Sequence, residues 1–157
     1  MTRAALALML AASAPAGAEG VPEPAGYRME AYRAPTPETL AGARVVDTAE
    51  AHALWVAGGT AFVDVLPRPE RPENLPEDVV WRDRPRDSIP GAVWAPNTGY
   101  GALDPGRHAY FRAVLERATG GDRTAPVLFF CLRDCWQSWN AAKRARATRS
   151  RWCGSDR

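Results

Sequence analysis

The apolar run at residues 126–130 is the feature that most constrains the fold of this chain, because it ends in a cysteine and is followed by helix-forming sequence. Residues 126–140 read PVLFFCLRDCWQSWN. The run is dense in β-formers and predicts a buried strand, while residues 137–144 predict a helix. A thiol at such a junction lies near unpaired N–H groups and the positive end of the helix dipole, which favour a thiolate. Cys131 is therefore a candidate reactive thiol, with Cys135 close behind it.

Two other interpretations of the cysteine pair remain open at this point. Cys131 and Cys135 would also be explained by a structural disulfide, or by two small buried side chains. The reactive interpretation is favoured because two cysteines and two tryptophans, Trp136 and Trp139, fall within one short turn.

The order of the predicted elements indicates an α/β fold. A strand, a helix, a strand, a long loop, a helix, a strand and a helix follow one another, which predicts an open parallel sheet with helices on both faces. The loop at 67–88 is rich in proline and charge, and a loop of this length is either functional or disordered. Besides the strand at 126–130 and the helix at 137–144, we predict a helical turn near 36–40, strands at 44–46, 61–66 and 89–94, and helices at 48–57 and 110–119.

The first residues predict export rather than structure. Arg3 is followed by an apolar stretch at 4–12 and by the small-residue pattern at 16–18, the order of a secretory signal peptide. We therefore predict a signal peptide at 1–18 and a periplasmic protein, in a compartment that permits disulfides. An apolar N-terminus on a cytosolic protein is the alternative. No segment is long and uncharged enough to predict a membrane span. About 139 residues remain, enough for one domain.

The charge distribution does not indicate nucleic-acid binding. Residues 19–143 carry 14 basic and 17 acidic side chains, a net charge of about −3, and the excess of arginine lies after residue 143. No basic face with interleaved aromatic residues is predicted. His52 and His108 have no companions at ligand spacing, so a zinc site is not predicted.

Three segments resemble rhodanese-like domains: FVDV at 62–65, SIPGA at 88–92, and the strand, loop and helix that begin at 127. More narrowly, IPGAVWAPNTGYG at 89–101 and CLRDCWQSWNAAK at 131–143 are similar to the PQQ-dependent catabolism-associated CXXCW motif family. This is a secreted rhodanese-like family associated with pyrroloquinoline quinone (PQQ). The resemblance covers residues 27–144 approximately. It implies a rhodanese-like domain at 36–144, after a flexible leader at 19–35.

The resemblance also implies a role. It implies a periplasmic function beside PQQ-dependent alcohol oxidation, with a quinoprotein dehydrogenase system or its transporter as partner. A small-molecule or thiol substrate is expected, and no cofactor is required. Two departures stand out: three residues rather than two separate Cys131 from Cys135, and Trp136 occupies the position where active rhodaneses usually carry a basic residue.

The resemblance assigns roles at the candidate site. Cys131 would be the nucleophile, held by a nest of backbone N–H groups that lowers its pKa, and Cys135 would resolve an oxidised Cys131. Arg133 would supply positive charge, unless it forms an ion pair with Asp134.

Four aromatic or polar residues are candidate binding residues. Trp136 shares a helical face with Trp139, a spacing more typical of core packing than of a ligand platform. Trp94, Asn97 and Tyr100 follow a predicted strand and are expected at the mouth of the same site. For Asp64, at the end of another strand, a capping or structural role is favoured.

The predicted pattern breaks down after residue 144. Residues 145–157 show no strand and no clean apolar face, and they contain a further cysteine, Cys153. We interpret them as a basic tail, frameshifted or truncated so that the C-terminal element of the fold is missing or aberrant; a genuine disordered tail is the alternative.

Two functions follow from the sequence. The first is a periplasmic rhodanese-like protein that carries out sulfur transfer or thiol redox chemistry through Cys131. The second is a non-catalytic module that binds a quinone, a metabolite or a partner protein, with Cys131 and Cys135 joined in a structural disulfide.

Overall fold

The protein is an α/β domain built on a three-stranded parallel sheet. The computed structural model describes residues 20–82 and 85–152, and side chains as far as residue 148. The predicted signal peptide at 1–18 and Cys153 lie outside the described residues. The elements are α1 (Thr48–Ala57), β1 (Ala61–Asp64), β2 (Val93–Trp94), α2 (Pro105–Thr119), β3 (Val127–Phe130) and α3 (Trp136–Trp152).

Strand β1 is the centre of the sheet, in the order β2-β1-β3, and both of its neighbours run parallel to it. Val63 pairs with Val93 on one side and with Phe129 on the other. Because all three strands point the same way, their carboxyl ends meet at one edge of the sheet. That edge carries Cys131, directly after β3.

Helices α2 and α3 cover the sheet through one hydrophobic cluster. Val63 and Val65 alternate onto one face, where they pack against Phe111 of α2 and Ala141 of α3. Helix α1 has no buried side chain. The parallel α/β sheet is confirmed, whereas helices on both of its faces remain a prediction.

A second cluster attaches the N-terminal segment, residues 20–43, to α3. We call this segment the strap. Leu40 of the strap packs against Trp136 and Trp139 of α3. Buried Asn140 accepts a hydrogen bond from the Arg28 N–H at 3.0 Å and donates one to the Arg28 carbonyl at 2.9 Å. The segment predicted as a flexible leader therefore lies, from residue 20 onwards, against the domain.

The helix ends follow their local sequence signals. Asp47 caps α1 and forms a capping box with Glu50, and Gly58 ends the helix, as predicted. Asp104 caps α2 with Pro105 in its first turn, so this helix begins five residues before the predicted start at 110.

Two predicted strands were too long, since β1 ends at Asp64 and β2 covers only Val93–Trp94, and besides α2 three further elements were wrong or too short. Residues 44–46 are not a strand, and Val45 is exposed, because no strand among the described residues pairs with them. Residues 36–40 contain no helical turn. Helix α3 does not end at 144 but continues to Trp152, and Ala145 lies in the main core. Most of the predicted basic tail is thus helical, with small alanine side chains forming its inner face.

Among residues 20–82 and 85–152, no helix is long and apolar enough to cross a lipid bilayer.

Candidate functional site: a thiol pair at the end of β3

A five-residue turn holds the two candidate cysteines side by side. Strand β3 ends at Phe130, and Cys135 immediately precedes α3. Asp134 adopts a left-handed backbone conformation with φ of 52°. Aspartate is one of the few residue types besides glycine that tolerate this conformation. The turn therefore doubles back, and both cysteines are free thiols, with Cys131 Sγ 3.2 Å from the Cys135 carbonyl.

Cys131 is half-buried, and two of the oxygens around its sulfur are carbonyls. Its Sγ lies 3.2 Å from the Cys135 carbonyl, 3.3 Å from Ser138 Oγ and 3.6 Å from the Leu132 carbonyl. Carbonyl oxygens only accept hydrogen bonds, so they stabilise the protonated thiol. The hydrogen bond to Cys135, followed by burial, raises the pKa of Cys131 well above its usual range.

The prediction that Cys131 has a lowered pKa is therefore wrong. The N–H of Trp136, at the start of α3, donates to the Tyr32 carbonyl at 2.9 Å instead of facing the cysteine. The strap thus occupies one helix donor that the predicted nest would have used. The effects of Cys135 and of burial, which raise the pKa of Cys131, outweigh those of the hydroxyl and the N–H of Ser138, which lower it.

Cys135 is the thiol of the pair that ionises. Its hydrogen bond with Cys131 lowers the pKa of Cys135 to about 6, and the N–H of Gln137 and the charge of Arg33 act in the same direction, against the effect of burial. Since Cys131 keeps its proton, the pair holds one proton between two sulfurs near neutral pH. Cys135 is only 3 % exposed, so the sulfur nearer to solvent is that of Cys131.

The arginine beside the thiols is Arg33, not Arg133. Arg33 and Cys135 form an isolated antiparallel β-bridge, and the Arg33 side chain hydrogen bonds to the Cys135 sulfur. Arg133 is exposed in the turn itself. No local pattern identified Arg33, because it lies 102 residues before Cys135 in the chain.

Tyr100 is brought close to the thiol pair through Gln137. The Cys135 sulfur lies 3.7 Å from Gln137 Oε1, and the Gln137 side chain also hydrogen bonds to Tyr100. The ring of Tyr100 meets Tyr32 of the strap edge-on at 5.3 Å. Burial, followed by the charge of Glu70, raises the pKa of Tyr100. Tyr100 is thus connected to the Cys135 sulfur through Gln137, and its place at the mouth of a binding site remains a prediction.

Trp136 is 2 % exposed and lies in the packing between α3 and the strap. Its ring meets that of Trp139 edge-on at 5.4 Å, and the Arg28 guanidinium lies 5.3 Å from its centre. Trp136 therefore packs in the core, as the three-residue spacing between Trp136 and Trp139 indicates, rather than lying exposed as a ligand platform would.

Trp94 and Asn97 lie at the other end of the sheet edge. Strand β1 separates Trp94 from β3, two strand spacings or about 9–10 Å. The Trp94 indole donates to the Leu66 carbonyl at 2.9 Å, and Asn97 Oδ1 accepts from the Arg68 N–H at 3.2 Å. Asn97 lines an open cavity of about 340 Å³ together with residues of the long loop, Arg68, Pro69, Glu70, Arg71 and Trp81.

Asp64 lies between these two groups, on the central strand. Its carboxylate is fully buried, forms an ion pair with Arg86 and accepts hydrogen bonds from Ser88 and from the Leu66 N–H. The Arg86 guanidinium also lies 5.2 Å from the centre of the Trp94 ring. The structural role favoured for Asp64 is therefore to anchor the end of the long loop to the sheet.

Comparison of the chain with protein-family models, with curated proteins and with solved structures gives no match.

Proposed function

We propose that this protein carries out thiol–disulfide exchange by cycling between the Cys131–Cys135 dithiol and an intraloop disulfide. The observation that carries the proposal is that two free thiols lie in one short turn, with Cys131 Sγ 3.2 Å from the Cys135 carbonyl, and that the interaction between them lowers the pKa of Cys135 to about 6. A thiolate at neutral pH is the reactive form of cysteine, and a second thiol in contact with it completes a two-electron redox pair.

The exchange begins at Cys131, whose sulfur is the nearer to solvent. The shared proton moves from Cys131 to Cys135, and the resulting Cys131 thiolate attacks an incoming disulfide. The first substrate sulfur leaves as a thiolate and a mixed disulfide forms. Cys135 then gives its proton to that thiolate, attacks the Cys131 sulfur and expels the second substrate sulfur as a thiolate. The protein dithiol loses two electrons, and the substrate disulfide gains them.

Sulfur transfer through a persulfide on Cys131 is less well supported. A persulfide anion requires hydrogen-bond donors; the hydroxyl and the N–H of Ser138 can donate to the Cys131 sulfur, but the carbonyls of Leu132 and Cys135 also face it and disfavour a negative charge there. The presence of Trp136 where active rhodaneses usually carry a basic residue points the same way.

The second candidate function is a binding module, in which Cys131 and Cys135 serve only as a staple. The open cavity at the end of β2, about 340 Å³ in volume, supports it. Arg68, whose guanidinium lies 5.8 Å from the centre of the Trp94 ring, and Trp81 would present cationic and aromatic groups to a quinone or a metabolite.

The resemblance to the PQQ-associated family supports a proposal about place and partner. The protein would act in the periplasm beside a PQQ-dependent alcohol dehydrogenase system or its transporter. Mass spectrometry of the periplasmic protein is expected to show that residues 1–18 have been removed. Retention of Met1 would contradict export through a cleaved signal peptide.

The experiment that tests the exchange reaction uses a Cys153→Ser background, in which Cys131 and Cys135 are the remaining cysteines. Equilibration in glutathione buffers followed by acid trapping is expected to convert both thiols together into an intraloop disulfide. Adding Cys135→Ser should leave a glutathione adduct on Cys131, with little change in Tm. The matched Cys131→Ser variant should form much less adduct, because Cys135 is buried.

The staple hypothesis predicts the opposite result. A large fall in Tm in the Cys135→Ser variant under oxidising conditions, with no glutathione adduct on Cys131, would overturn the exchange mechanism. Quenching of tryptophan fluorescence by a quinone would then support the binding module.

A further inference from the structure

A second candidate site lies on the face between α2 and α3, built around the buried Arg144. This residue is 2 % exposed, and its guanidinium donates to three carbonyls of the segment after β2. The distances are 2.8 Å to Thr98, 2.6 Å to Tyr100 and 3.0 Å to Gly101. The guanidinium therefore ties α3 to that segment.

The guanidinium also lies 4.6 Å from the centre of the Tyr27 ring and 6.0 Å from that of Phe111, so its charge is met by carbonyls and aromatic rings but by no anion among the described residues. Within the described part of the chain, no carboxylate forms an ion pair with Arg144, and its buried Nε has no hydrogen-bond partner. Burial lowers the pKa of Arg144, the direction expected when a cation lacks an anionic partner. A buried donor of this kind costs free energy unless something accepts its hydrogen bond.

Arg144 also lines a cavity of about 150 Å³. Cavities of this size in proteins admit molecules as large as benzene. Its wall combines basic and apolar groups and contains no carboxylate; the lining residues are Tyr27, His108, Phe111, Arg112, Arg144, Ala147 and Thr148. A second arginine, the exposed Arg112, thus lines the same space as Arg144.

We propose that this cavity is a binding site for a short-chain carboxylate, whose charged group pairs with Arg112 and Arg144. Two guanidiniums match the geometry of a carboxylate, and the ligand would give the buried Arg144 the anion that it lacks. Tyr27, Phe111 and Ala147 form the apolar part of the wall, which suits a hydrocarbon chain of a few carbons. The site is separate from the thiol pair, so it goes beyond the proposed function.

The test uses propionate and its neutral isostere propionamide, at constant ionic strength. Titration followed by ¹H–¹⁵N NMR is expected to show saturable shifts for residues of the cavity with propionate and none with propionamide. Equal binding of propionamide would overturn the proposal, because it would show that charge is not recognised. Tighter binding of sulfate than of propionate would overturn the assignment to carboxylates, and an absence of saturable shifts with propionate would overturn the site.

Two variants locate the site without removing Arg144, whose loss would threaten the fold. Arg112→Gln should weaken propionate binding about tenfold, because one charge-assisted hydrogen bond is lost. The matched control Arg117→Gln, an exposed arginine of α2 outside the cavity wall, should bind like the wild type. Equal affinity in the two variants would contradict the proposal.

Ala147→Leu fills the cavity and leaves every charge in place. Propionate binding should be lost in this variant, while Ala113→Leu, at an exposed position of α2, should leave it unchanged. Unaltered binding in a folded Ala147→Leu protein would show that the ligand lies elsewhere.

Discussion

Arg33 and Cys135 face each other in an antiparallel β-bridge that joins the strap to the start of α3. The bridge brings the exposed Arg33 close enough for its charge to lower the pKa of the buried Cys135 thiol, and the N–H of Trp136 donates to the Tyr32 carbonyl next to it. The strap is therefore part of the thiol site, although it lies about a hundred residues away in the chain.

The first prediction tests this relationship with two arginines. Arg33→Ala should raise the pKa of Cys135, because the nearby positive charge and a hydrogen bond to the thiolate are lost. Arg133→Ala, in the turn itself and exposed like Arg33, should leave that pKa unchanged, because Arg133 does not act on the Cys135 sulfur. Thiolate absorbance near 240 nm, followed against pH in the Cys153→Ser background, measures both. The same midpoint in all three proteins would show that Arg33 has no electrostatic role.

The second prediction concerns the pH dependence of stability under reducing conditions. Cys135 has a folded pKa of about 6, below the value of about 8.5 in an unfolded chain. Between these two values the unfolded state binds the extra proton, so the free energy of unfolding should rise with pH, by up to about 1.4 kcal/mol per pH unit.

Above pH 8.5 the sign reverses. The folded pKa of Cys131 is raised, so the unfolded protein loses this proton first and stability should fall as pH increases further. Urea unfolding of the wild type and of Cys135→Ser at each pH isolates the contribution of the pair. Parallel pH profiles for the two proteins would show that the thiols do not share a proton.

The third prediction compares two ion pairs of different burial. Arg86→Ala should lower the free energy of unfolding by about 2–3 kcal/mol, because it leaves the fully buried Asp64 carboxylate without its cation. Arg107→Ala, which breaks the exposed pair with Asp104, should cost less than about 1 kcal/mol. Urea unfolding measures both. A similar small loss in each would mean that Asp64 is not anchored by Arg86.

The fourth prediction concerns the close approach of Gly99 to α3. A Cβ atom at this position would lie 2.6 Å from the Gln137 carbonyl, a backbone atom that cannot move cheaply. Gly99→Ala should therefore destabilise the protein by about 1–3 kcal/mol. Gly26→Ala, where no atom lies within 4 Å of the new methyl group, is the control, and it should change the free energy of unfolding by less than about 0.5 kcal/mol. Equal stability of the two variants would argue against this contact.

Helices and strands whose limits are set by residues within the element, such as a capping side chain or an apolar run, could be predicted from the sequence. Asp47 and Gly58 delimit α1 because a capping side chain and a glycine act on the backbone within a few residues. The apolar run at 126–130 forms β3, and Cys131 lies at the edge of the sheet because it directly follows this strand. The sequence predicts an end of helix α3 at 144, eight residues too early. The side chains that α3 buries in the main hydrophobic cluster are alanines, which are too small to give a clear apolar pattern among the many arginines.

The sequence by itself determined that a parallel α/β sheet ends in a cysteine pair at a strand-to-helix turn, since those features depend on local patterns of apolar and helix-forming residues. Only the tertiary structure decided which sulfur of the pair ionises. That choice depends on the carbonyls around Cys131, on Arg33 of the strap and on the burial of Cys135, and these come together through packing between segments far apart in the chain. The electrostatic environment of a thiol is set by neighbours in space, and no spacing within the turn encodes it.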